Sequence, residues 1–160
     1  MVSRLQNPGR PGRWAGAAFL AGFVLLQLTN PPRTNPPPLP GHDLLASNAP
    51  PPDIAAALKA ACYNCHSCET RWPWYSRVAP VSWWVAGHVK DAREVMNFSD
   101  WPHDQPSRVR KRWDRIAEAV EAREMPLPSY LWMHPESRLN GPQRARLVAW
   151  ARQTADSGAR

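Results

Sequence analysis

Several function classes are set aside by what this sequence does not contain. It has no zinc-finger spacing and no basic stripe interleaved with stacking aromatics, so its formal net charge of +7 does not read as a nucleic-acid interface. A basic surface that steers an acidic redox partner accounts for the charge at least as well. There is no internal repeat and no convincing strand. No acidic residue accompanies Arg4, Arg10 and Arg13 at the N-terminus, and no small-x-small cleavage site follows the apolar run behind them. No paired acid and base stands near the chain's most specific motif, so the sequence does not argue for turnover.

Two residue types are instead abundant. Nineteen prolines and nine tryptophans in 160 residues are both unusual. The prolines cluster and mark a linker; the tryptophans lie mostly in the C-terminal two-thirds and imply a core with flat aromatic walls. The hydrophobic fraction of 43% is ordinary for one small globular domain.

The most specific stretch is Cys62-Tyr63-Asn64-Cys65-His66. It reads C-x-x-C-H, the attachment signature of c-type haem. On a helix, thiols three residues apart share a face and can add to the two vinyl groups of one porphyrin edge. His66 follows directly and can bind the iron from the proximal side. The competing readings are a chance match and a redox or zinc pair of thiols, and the adjoining histidine favours haem. Cys68 is left over; it is read as a small buried hydrophobe, with a redox role as the alternative.

Residues 1–13 form a basic end expected to stay cytoplasmic, and 14–29 a signal-anchor or transmembrane segment. The apolar run from Trp14 to Leu28 is broken only by Gln27. At ~1.5 Å per residue it spans on the order of 22 Å, short of the ~30 Å hydrocarbon core. An uncleaved anchor is favoured because prolines follow the run; a cleaved signal is the alternative. Either reading puts the remainder outside the cytoplasm, in the periplasm, where c-type haem is attached. Residues 30–53 read as a polyproline stalk, semi-rigid and without a packed core.

The domain proper is expected over 54–157, mostly α, with four helices. The first starts at Asp53 as N-cap and carries Ile54, Leu58, Ala61, Cys62 and Cys65 on one face. An aromatic loop, Glu69 to Pro80, supplies either porphyrin walls or core filling, and Pro80, with Pro73 as competitor, is the expected carbonyl partner of the second ring nitrogen of His66. A second helix covers Val81 to Met96, with Trp84 and His88 one turn apart. A third runs from about Ser107 to Arg123 on a stripe of Val109, Trp113, Ile116, Ala117 and Val120; Arg108, Arg110, Lys111, Arg112 and Arg115 form its solvated face. The last covers about Asn140 to Thr154 and packs through Leu147, Val148, Trp150 and Ala151.

For the distal side of the iron, Met125 is the first candidate. Proline keeps the preceding residue out of the helical region, so Met125-Pro126-Leu127-Pro128 is a stiff presenter for a weak thioether ligand. Gap-filling in the core is its plain alternative. His88 is the runner-up, and Met96, Met133, His103 and His134 remain.

With these residues in hand, the chain resembles the haem-binding domain family of bacterial exported proteins over roughly residues 54–152. The resemblance rests on Cys62-x-x-Cys65-His66-Ser67, Trp72-Pro73-Trp74-Tyr75-Ser76, Ala79-Pro80-Val81-Ser82-Trp83-Trp84, His88, Asn97-Phe98-Ser99 with Trp101, and Met125-Pro126-Leu127-Pro128-Ser129-Tyr130. It implies one covalent haem c per chain, often behind an N-terminal membrane segment. The order of attachment helix, methionine loop and terminal helix is similar to class I cytochrome c; the tryptophan-rich insertion and Cys68 depart from it. The expected function is one-electron transfer to redox partner proteins. A haem-based sensor or small-ligand binder is the alternative, and a haem peroxidase a more distant one.

Overall fold

The computed structural model describes residues 11–102 and 105–157, and among these it is helical with no strand. The basic residues Arg4 and Arg10 and the ligand candidate His103 lie outside the described residues. The chain divides into two compact units: Met1–Arg33 with Pro73–Ala86, and Thr34–Trp72 with Gly87–Arg160.

The first unit contains α1 (Pro11–Leu26), a following 3-10 turn (Gln27–Thr29) and a second 3-10 turn (Trp74–Arg77). Every residue from Gly12 to Leu25 is exposed. No helix among the described residues is long and apolar enough to cross a membrane; α1, the segment expected to do so, has 16 residues.

The second unit holds the core. The stretch expected to be a stalk contributes to it. Asp43 caps α2 (Leu44–Asn48), accepting from the Leu45 and Ala46 amides at 2.9 and 3.1 Å. Leu44 is fully buried, its amide bonded to the Phe98 carbonyl. Proline clusters on either side stop α2 from extending, but four apolar or small residues around an Asx cap suffice for one packed turn.

The first domain helix also differs from expectation. α3 (Pro52–Ala61) places proline at its first turn, with Pro51 and not Asp53 at the cap position. Asp53 pairs instead with Arg146 at 2.9 Å. Proline lacks the N–H that would otherwise be orphaned there, so no side-chain cap is needed. α3 ends at Cys62, and a separate single turn, α4 (Tyr63–His66), carries the rest of the signature.

α5 (Val81–Val95) and α6 (Pro106–Glu121) follow the sequence periodicity closely. Trp113, Ile116, Ala117 and Val120 of α6 are buried as the stripe requires. Arg112 lies over the Trp101 ring, 5.7 Å from its centroid, while Arg110 pairs with Asp114 and Asp156 on the solvated side. A short α7 (Pro128–Leu131) and a 3-10 turn (Pro135–Ser137) lead to α8 (Gly141–Ser157), which packs on α6 through Leu147, Val148, Ala151 and Ala155. The expected four helices are all present; α2, α4 and α7 were too short to show a period.

Candidate functional site

The signature sits on a break. Cys62 has φ −126° and ψ −40°, outside the helical well, while its own amide still bonds to the Leu58 carbonyl at 2.9 Å. Its carbonyl then accepts from both Cys65 and His66 at 3.2 and 3.0 Å. This tight turn keeps the two thiols three residues apart and on one side of the chain. Both cysteines are half-buried, Cys62 against the edge of the core, and neither is in a disulfide.

Burial favours the neutral form of both thiols. Burial pushes Cys62 up to about 12, with Cys65 close by adding to the rise. Burial also raises Cys65, against the partial opposition of Arg93. A redox-active C-x-x-C has its attacking thiol lowered, not raised. Among the described residues no group of three or more His, Cys, Asp or Glu is placed to hold a metal ion. The dithiol reading loses ground on the raised thiols.

His66 is held from three sides. Its Nδ1 lies 3.0 Å from the Met96 carbonyl. A carbonyl only accepts, so Nδ1 carries the hydrogen and Nε2 keeps its lone pair. The Phe98 amide donates to the His66 carbonyl at 2.6 Å, and the Phe98 ring stacks on the imidazole with centroids 5.4 Å apart and 22° between planes. Burial lowers the His66 pKa, with the Met96 and Ala92 carbonyls pressing the other way. The acceptor expected from Pro80 or Pro73 is therefore the Met96 main chain. The end of α5 offers fixed, free carbonyls because its last turn has no further helix to bond.

The next residues explain a motif that sequence reasoning quoted without a role. Asn97 bonds forward to the Ser99 amide at 2.9 Å, and Ser99 Oγ accepts from the Cys68 amide at 2.9 Å. Asn97 Nδ2 lies 3.8 Å from Cys68 Sγ. Cys68 is buried, as the plain reading of it required. Asn97-Phe98-Ser99 is thus the bracket that fixes the chain just after the signature.

Two further holders were missed. Arg93, in the last turn of α5, donates from Nε to the Ser67 carbonyl at 2.8 Å and from Nη2 to Thr70 Oγ1 and Asn35 Oδ1 at 2.8 Å each. Asn64, inside the signature, donates to Tyr130 Oη at 2.7 Å and accepts from the Arg71 amide at 3.2 Å. An arginine on a helix and a variable position of C-x-x-C carry no period or spacing that would have flagged them.

Through Asn64 the structure joins the signature to the end of the Met125–Tyr130 segment. Met125 itself is half-buried, its amide bonded to the Ala119 carbonyl at 3.2 Å and its carbonyl accepting from Arg144 at 3.4 Å. The Met125 backbone is held on both sides. Of the other candidates, Met96 is a core residue and Met133 is exposed. His134 stacks on Tyr130 at 4.2 Å and bonds to Glu136 at 2.9 Å. His88 is half-buried on α5.

Behind His66 the aromatics form a continuous series. Phe98 meets Trp101 at 6.0 Å, Trp101 meets Trp113 at 4.9 Å, and Trp113 meets Trp150 at 4.8 Å. These tryptophans are core fillers. Trp74, expected to be a wall or filler, is 71% exposed and neither. Trp72 Nε1 is buried without an acceptor, one residue from the amide that bonds Asn64. An indole donor in want of an acceptor beside the signature suits a group that carries carboxylates. A groove of about 340 Å³ along α3, lined by Ile54, Ala57, Ala60 and Leu139 among others, includes none of Cys62, Cys65 and His66. The site is therefore defined by its donor set.

The haem-binding domain family matches residues 21–153. No curated protein and no solved structure matches the chain.

Proposed function

The chain belongs to the haem-binding domain family, and we propose that it holds one haem covalently, as a c-type cytochrome of the periplasm, and passes single electrons to partner proteins. The observation that carries the reading is the His66 geometry: Nδ1–H is spent on the Met96 carbonyl, which leaves the Nε2 lone pair for iron.

Cys62 and Cys65 would each form a thioether, the sulfur bonding to one carbon of a vinyl group and the thiol hydrogen going to the other. Haem supplies a one-electron iron couple. The chain supplies the rest. The Phe98 stack and the Met96 carbonyl fix the imidazole against rotation, and the buried tryptophans behind it keep water from that side and leave little to rearrange when the charge changes. Met125 is the proposed distal ligand, supported by its doubly held backbone. A thioether there raises the potential.

The N-terminal segment would hold the haem unit at a membrane. α1 is apolar and exposed all round, and a helix hydrophobic on every side belongs in a protein core or in lipid.

Expression in a host able to mature cytochromes tests attachment. The denatured polypeptide should stay coloured, with Cys62 and Cys65 closed to alkylation; a colourless chain with both thiols reactive refutes it. Met125→Ala tests the distal ligand: the sulfur-to-iron charge-transfer band of the oxidised protein should vanish and carbon monoxide should bind the reduced form. An unchanged spectrum rules Met125 out. Rapid carbon monoxide binding by the unaltered protein would instead favour a ligand sensor.

A further inference from the structure

We propose that Pro73–Ala86 is a second membrane contact: together with α1 it forms one lipid-embedded module, seated at the bilayer interface and drawn to anionic headgroups. This rests on the membrane reading of α1 and extends it to a segment that the family motifs would assign to the haem.

Gln27 and Asn30 are half-buried and Ser76 and Ser82 buried, while the large apolar residues of the module face outward. Gln27 is the one polar residue that breaks the apolar run, and its amide is fully engaged by main chain. Nε2 donates to the Phe23 carbonyl at 2.9 Å and the Ala79 carbonyl at 3.3 Å, and Oε1 accepts from the Ala79 amide at 2.9 Å. Three carbonyls at the end of the helix are met in the same way, while Asn30 Oδ1 and Ser82 Oγ are buried without a partner. Thr29 Oγ1 donates to Leu26, Asn30 Nδ2 to Gln27, and Trp83 Nε1 to Thr29, at 2.7, 2.7 and 3.0 Å. In water the ends of a helix need no such provision. Where water is scarce, each unmet carbonyl costs several kcal/mol.

Around this polar interior, Ser76, Ala79 and Ser82 are buried while Trp74, Val81, Trp83 and Trp84 are exposed. That inverts the usual order of a loop in water. Trp74 is 71% and Leu28 81% exposed. Tryptophan with an apolar body and a polar N–H is the residue of membrane interfaces.

Charge names the occupant. Beyond the apolar run, on the side of Pro73–Ala86, the two stretches of this unit contain Arg33 and Arg77 and not one Asp or Glu. A protein partner of mixed charge does not require that purity; an anionic lipid surface matches it. The module also answers the length problem. The 16 residues of α1 reach about 24 Å at 1.5 Å per residue, less than the ~30 Å core, and a docked tryptophan segment at one end extends the apolar surface without lengthening the helix.

The test uses the full haem-loaded chain in a Cys68→Ala background, in vesicles of phosphatidylcholine and phosphatidylglycerol. Nitroxide labels are placed singly at Phe19→Cys, Trp74→Cys and Trp132→Cys; Trp132 is exposed in the other unit. Collision with oxygen, which partitions into lipid, is compared with collision with a water-soluble nickel chelate. The oxygen-to-nickel ratio at position 74 should exceed that at 132 several-fold, and Gln27→Ala should bring it down while position 19 stays unchanged. If position 19 reads as lipid and position 74 reads like 132, the inference fails and the anchor stands. If position 19 itself reads like 132, the anchor fails and the inference with it. Low collision with both probes at 74 means burial in protein and also overturns the proposal.

Discussion

Replacing Arg93 with methionine isolates the holder that no sequence motif announced. The guanidinium bonds the Ser67 carbonyl, Thr70 Oγ1 and Asn35 Oδ1 at 2.8 Å each, and the Thr34 carbonyl at 3.3 Å. These are not equal. Ser67 is completely buried and Thr70 nearly so, so losing their donor strands a carbonyl and a hydroxyl, at about 1–3 kcal/mol for the first and less for the second, which can rotate. The Asn35 and Thr34 bonds are exposed, and water replaces them at little cost. The sum is about 3 kcal/mol. For a unit of this size that lowers the melting temperature by roughly 10 °C, and urea unfolding of the haem-loaded protein should show the same loss at an unchanged slope. Arg93→Lys separates charge from shape: an ammonium can bond one of the four acceptors well, so it should recover less than half. A loss below about 1 kcal/mol in Arg93→Met would refute the reasoning that the buried Ser67 carbonyl depends on Arg93. Full recovery by lysine would refute the claim that the forked geometry matters.

Three more expectations follow from the site. Because burial lowers the His66 pKa from its ordinary 6.5, the folded chain binds fewer protons than the unfolded chain just below that pH. Stability is therefore fully present well above pH 6.5 and declines as the pH falls through and below it; denaturation of the haem-free chain measured from neutral to mildly acidic pH should show the decline, and His66→Asn should flatten it. Phe98→Ala empties a site that touches His66, Tyr63 and Trp101, and should cost about 3–5 kcal/mol by denaturant titration. Cys68→Ala removes a weak contact with Asn97 but leaves the Cys68 amide on Ser99, so it should cost no more than about 1 kcal/mol and leave the haem spectrum unmoved.

The parts of this fold that were legible in the sequence are those with a period. α6 declares itself because Trp113, Ile116, Ala117 and Val120 recur on one face, and the structure buries all four. α8 does the same through Leu147, Val148 and Ala151. The signature was legible for a different reason: two thiols and an imidazole at fixed spacing are rare by chance. What could not be read were the elements of one turn and the partners made by main chain. α2 lies inside a proline-rich stretch whose composition argues for a stalk, yet Leu44 is completely buried, because one capped turn needs only one well-placed side chain. The break at Cys62 depends on the main-chain carbonyl that Cys65 and His66 share, and a backbone acceptor leaves no trace in residue identity. The same holds for the Met96 carbonyl on His66.

The same pattern governs the whole neighbourhood of His66. Its acceptors and donors are supplied by the end of α5 and the residues just beyond: Arg93 on the Ser67 carbonyl, Met96 on the His66 ring, Phe98 on the His66 carbonyl and Ser99 on the Cys68 amide. Three of the four bonds reach the backbone of His66, Ser67 and Cys68, and only one reaches a side chain of the signature. The arrangement therefore constrains where the peptide runs more than what the imidazole touches. Substitution of His66 should then leave the local backbone intact while removing the lone pair, whereas substitution of Arg93 or Ser99 should loosen the backbone while leaving the lone pair in place. The two kinds of variant ought to separate cleanly, the first losing the haem spectrum at near-normal stability of the haem-free chain and the second losing stability first. If His66→Asn unfolded the haem-free chain as severely as Phe98→Ala, the imidazole would be a structural keystone in its own right, and the division of labour between ring and backbone would be wrong.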